Sequence, residues 1–115
     1  MNVVTLIGNL ATDVEVKQVG SEKKVASFLL AVQRPGRDAA ADFVWVSAWD
    51  RQAETCAEYL QRGKRVGVDG RLRSRSWDEE GKRRHAVEVV ANRVQFLFGP
   101  AEEGEVMPFE RAAAR

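Results

Sequence analysis

Cysteine, histidine and net charge are what this chain has least of. Its 115 residues include one cysteine and one histidine, and 18 basic side chains face 17 acidic ones. A single thiol cannot form an intramolecular disulfide, which fits a reducing compartment. The lone histidine, His85, has no cysteine or histidine at metal-ligand spacing, so neither a metal site nor a cofactor is expected. Asp78, Glu79 and Glu80 are adjacent in a charged loop, which suits solvation better than octahedral metal coordination, and an enzyme is not expected. No apolar run reaches membrane length and no signal peptide is present, so a cytoplasmic protein without a membrane partner is expected. The three prolines fall at positions 35, 100 and 108, in a loop and in the tail. The length suits one domain with a modest core.

What the chain does have is alternation. In Arg65–Trp77, Val66, Val68, Gly70, Leu72 and Ser74 fall on one face of a strand, fit for a core. Arg65, Gly67, Asp69, Arg71, Arg73, Arg75 and Trp77 fall on the other. A helix would scatter these arginines, whereas a strand sets Arg71, Arg73 and Arg75 about 7 Å apart. That is close to the spacing of phosphates along one nucleic-acid strand, and Trp77 adds a π-face. A solvated strand face is the alternative. The stretch from Phe43 to Trp49 bears on the choice. Val44, Val46 and Ala48 form its aliphatic stripe; Phe43, Trp45, Ser47 and Trp49 lie opposite. Such an aromatic face is either a subunit interface or a stacking platform, and the neighbouring arginine row favours stacking. Charge is placed accordingly. Residues Arg62 to Arg84 hold nine Lys/Arg against four Asp/Glu, while from Gly99 onward two arginines meet four glutamates.

In chain order, Asn2 to Leu10 reads as a strand with apolar residues on both faces, and Gly8 marks a bend useful for closing a small barrel. Val14 to Val19 continues the sheet. Val25 to Val32 is a second strand, with Ala26, Phe28, Leu30 and Val32 facing the core. Arg34 to Asp42 is a loop. After the aromatic strand, Asp50 is placed to cap a short helix with its apolar stripe at Ala53, Cys56, Ala57 and Leu60, and Gly63 follows. Cys56 on that stripe reads as a packed thiol. Gly81 sits at the turn of a charged hairpin, and His85 to Asn92 with Val94 to Phe98 forms the last strand. Five strands with one helix between the third and fourth is the order of an OB-fold, a five-stranded Greek-key barrel. The barrel is expected over residues 1–98, and a poorly ordered tail over 99–115.

Several motifs in this order resemble the bacterial single-stranded DNA-binding protein family. They are Asn2-Val-Val-Thr-Leu-Ile-Gly-Asn-Leu10 with Asp13, Val25-Ala26, Ala57-Glu-Tyr-Leu60 with Gly63-Lys64, Gly67 to Trp77, and Glu88-Val-Val90. The resemblance runs from about residue 2 to residue 98. It implies base stacking on Phe43, Trp49 and Trp77, with Trp45 adjoining, and tracking of the DNA backbone by Arg71, Arg73 and Arg75. It also implies a homotetramer in which first strands pair between subunits. Single-stranded DNA is the implied partner, bound without sequence preference in replication, recombination or repair. Two departures stand out. Family members often carry an aromatic where this chain has Arg34-Pro35-Gly36. They also usually end in an acidic tip closing on Ile-Pro-Phe, which docks replication and repair proteins. Here Glu102-Glu-Gly-Glu-Val-Met-Pro-Phe109 echoes that tip, but six residues follow it. The departure leaves open a second reading, a primosome-assembly or specialised paralogue whose main role is protein contact.

Overall fold

Apolar–polar alternation runs through most of the chain, and the computed structural model, which describes residues 1–36 and 40–98, turns most of it into strand. The elements are β1 (Val4–Leu10), β2 (Glu15–Val19), β3 (Lys23–Gln33), β4 (Ala41–Trp49), α1 (Arg51–Tyr59), β5 (Arg65–Glu79) and β6 (Lys82–Phe96). Five of the six strands close a ring. β1 pairs antiparallel with β5 from Val4↔Gly70 to Asn9↔Arg65, and β5 pairs with β6 from Val66↔Phe96 to Glu79↔Lys82. β6 then meets β4 in parallel at Val46↔Val89 and Ser47↔Val90. β4 pairs with β3 along its length, and β3 returns to β1 at Asn9↔Ala31 and Leu10↔Leu30. This is the OB-fold barrel, with the helix between its third and fourth ring strands. β2 is a sixth strand outside the ring, paired among the described residues only with β3.

The core is filled from every ring strand. Leu10, Ala26, Phe28, Leu30, Val46, Ala48, Val66, Val68 and Val89 are buried, and α1 adds Ala53 and Cys56, with Leu60 just beyond its last turn. Burial pushes the Cys56 thiol up to about 11, so it is a protonated packing group at neutral pH. Three sequence expectations change. Ala57 is exposed, because the helix rests on the barrel by the narrower stripe Ala53, Cys56 and Leu60. Asp50 makes no side-chain cap; it turns at φ 57, and its backbone carbonyl accepts from the Glu54 N–H at 3.1 Å. Leu72 has core parity yet is 47% exposed. The reason is geometric: β5 and β6 are fifteen residues each and run past the barrel wall as a free arm. The tail expectation lies outside the described residues.

Two glycines are required by close approach. At Gly8 an added Cβ would stand 2.3 Å from the Ala31 carbonyl oxygen, where β1 leaves β5 for β3. At Gly70 it would stand 2.2 Å from the Val90 oxygen, beside the β-bulge that interrupts the β5–β6 register between Asp69 and Gly70. Gly8→Ala is expected to destabilise the fold by about 1–3 kcal/mol, the usual cost of overpacking. A denaturant melt with an unchanged midpoint would show that the seam has room to spare.

Candidate nucleic-acid interface

The arm is built from its turn outward. Glu80 and Gly81 both take positive φ, 54° and 78°, between the paired residues Glu79 and Lys82. Two such residues make a type I′ turn, whose twist matches that of the strands it joins. Register then follows by counting. Arg71 falls opposite Val90, Arg73 opposite Glu88, Arg75 opposite Ala86 and Trp77 opposite Arg84. Paired residues share a face, and Ser47↔Val90 carries that face onto β4. One outer surface therefore holds Phe43, Trp45, Ser47 and Trp49 on β4, Glu88 and Val90 on β6, and Arg71, Arg73, Arg75 and Trp77 on β5. The aromatic strand and the arginine strand, distant in sequence, are separated by β6 alone.

The aromatic rings are offered to solvent unequally. Phe43 is 61% exposed, Trp45 50% and Trp77 39%, while Trp49 is half-buried. Leaving large rings open is unfavourable for a monomer unless something covers them. Two guanidinium carbons lie by two of these rings: Arg73 at 6.0 Å from the Trp49 centroid and Arg75 at 5.6 Å from that of Trp77. Ser47 shares the aromatic parity but is buried, and its hydroxyl has no hydrogen-bond partner among the described residues. Val90, directly opposite it, is buried too.

Charges on the arm are largely paired. Arg83 meets Asp78 at 3.2 Å and donates to the Ser76 hydroxyl, and Arg84 meets Glu79 at 3.5 Å. Arg73 Nη2 donates to Glu88, and Arg75 Nε lies 3.8 Å from the same carboxylate. Arg71 makes no side-chain hydrogen bond or ion pair among the described residues. Glu88 is the member of this surface that sequence reasoning missed. The signal was available, because counting back from Glu80–Gly81 sets Glu88 across from Arg73. At the loop before β4, Arg34 donates to Asp42 at 2.9 Å, so it braces the loop's base. Among the described residues no cluster of three or more His, Cys, Asp or Glu could hold a metal ion, and no helix is long and apolar enough to cross a membrane.

A closed five-strand barrel bearing aromatics and arginines on one outer face defines an OB-fold binding module. The chain belongs to the Single-strand binding protein family, whose description matches residues 1–97. It is 46% identical over 102 residues to Single-stranded DNA-binding protein 3 of Clostridium acetobutylicum, covering 84% of this chain and 71% of that one. With the Single-stranded DNA-binding protein of Clostridium tetani it shares 44% over 103 residues, 84% of this chain and 70% of the relative. With that of Halalkalibacterium halodurans it shares 43% over 102 residues, 84% of this chain and 61% of the relative.

Proposed function

We propose that this protein binds single-stranded DNA without sequence preference, by stacking bases on Phe43, Trp45, Trp49 and Trp77 and by meeting phosphates from the arginine row. The observation that carries the reading is the joining of exposed aromatic and cationic side chains on one face of β4, β6 and β5. Every base has a π-face and every nucleotide a phosphate, so such a surface tolerates any sequence. Binding here needs no bond to be made or broken, and the protein acts by holding and shielding the strand during replication, recombination or repair. A specialised role in primosome assembly is not favoured by the relatives, which carry single-stranded DNA-binding names.

Self-association is part of the proposal. β3 pairs with β1 only at Asn9 and Leu10, so the second edge of Val4–Gly8 has no strand neighbour among the described residues. Val3 and Ile7 are 72% and 51% exposed, and Leu97 lies beside Ile7 over Gly67. A free strand edge beside apolar side chains invites pairing with a second copy, and four copies close the assembly as a homotetramer.

Two experiments test it. Titration with oligothymidine, followed by tryptophan fluorescence, should show quenching. Trp49→Ala and Trp77→Ala should each weaken binding by about 1–3 kcal/mol for each stacked base lost. Wild-type affinity in the double variant, with its fold intact, would sink the stacking mechanism. In parallel, Ile7→Asp should reduce the assembly's mass measured by light scattering. An unchanged mass would mean that β1 is not where copies meet.

A further inference from the structure

Glu88 stands where a phosphate-binding surface has least use for a carboxylate, at the centre of its basic row. Register forces the placement, directly across from Arg73. Its side chain is only 13% exposed, and two arginines converge on it. They are not held alike. Arg73 donates Nη2 to the carboxylate, keeps Nε shielded from solvent, and rests its guanidinium beside the Trp49 ring. Arg75 sits 3.8 Å from Glu88, beyond hydrogen-bond reach, with 57% of its side chain exposed. Arg71, next along the row, is exposed.

We infer that Glu88 gives the arginines of the row different roles. It neutralises Arg73 and fixes it against Trp49 as a positioning residue, leaving Arg71 and Arg75 to meet phosphates. This rests on the single-strand-binding reading above. Charge-assisted hydrogen bonds are the strong ones, so a phosphate reaching Arg73 would replace one anion by another. It would also take from the shielded Glu88 carboxylate its hydrogen bond to Arg73, leaving it only Arg75 at 3.8 Å, which is costly. The counterions released on binding are those condensed on the DNA, and a guanidinium that stays paired to a carboxylate neutralises no phosphate and releases none. What Arg73 keeps is its contact with the ring. Trp49 is the half-buried tryptophan, and the cation beside it holds the platform in place before a base arrives.

The test is a series of oligothymidine titrations over a range of salt. Arg71 and Arg75 should together account for about −1.4 of the wild-type slope of log affinity against log salt. Arg71→Met and Arg75→Met should each make the slope shallower by about 0.7. Arg73→Met combined with Glu88→Gln removes the pair whole, so no carboxylate is freed to neutralise Arg75; this double variant should leave the slope unchanged while lowering affinity roughly two- to fivefold at every salt concentration. Glu88→Gln, close to isosteric, should steepen the slope by about 0.7, because the freed guanidinium then counts. The same substitution should also change the quenching of Trp49 in a chain carrying Trp45→Phe and Trp77→Phe. If the double variant flattens the slope as much as Arg71→Met does, the division of roles is overturned. A wild-type slope in Glu88→Gln overturns it as well. Should Glu88→Gln alone fail to fold, the comparison of the double variant with Arg71→Met decides. The wild-type titration is read first. A chain that ignores oligothymidine, or binds it without salt dependence, overturns the single-strand reading and the division with it.

Discussion

The register of the β5–β6 hairpin is the constraint on which the rest depends. A two-residue turn at Glu80–Gly81 sets every pair below it, through the arm and into the barrel. On the inner face this register brings Val66 and Val68 opposite Phe96 and Val94, giving the core one of its walls. On the outer face it places Glu88 against Arg73 and aligns the arginine row with β6. The bulge between Asp69 and Gly70 then shifts β6 by one residue, allowing Val89 to face the core while Val94 still packs against it. A slip of one residue would turn the arginines inward and the valines outward. Fold and binding surface therefore rest on the same ladder of hydrogen bonds.

Much of this is legible in the sequence, because a strand's period of two is a short-range signal. The split of Phe43–Trp49 into an aliphatic and an aromatic face survives in the structure, as does the burial of Phe28. Gly8 reads as a bend, and it lies where β1 changes partner. Parity says which way a side chain points but not what lies there. Leu72 points coreward just past Val4↔Gly70, where β1 no longer flanks β5, so it stays exposed. Ser47 points outward beneath neighbours that bury it. Asp50 has the side chain of a cap, but passing from β4 straight into α1 puts it at positive φ, and it makes no capping bond. Glu88 is invisible to one-strand reasoning, since its role exists only across a strand pair.

In the proposed function the surface combines two forces that fail under different conditions. Attraction between phosphates and arginines weakens as salt rises, whereas stacking on Phe43, Trp45, Trp49 and Trp77 depends on access to base faces. Pairing of Arg83, Arg84 and Arg73 with neighbouring carboxylates keeps the arm's net charge modest. The balance therefore leans toward stacking, which separates single strands from duplexes because a duplex hides its base faces. The most direct measurement compares one DNA sequence as a single strand and as a duplex, at the same salt. The account expects the single strand to bind tighter by roughly tenfold or more, the worth of at least one stacked base. Equal affinity for the two forms would mean that charge alone does the binding, and would contradict it.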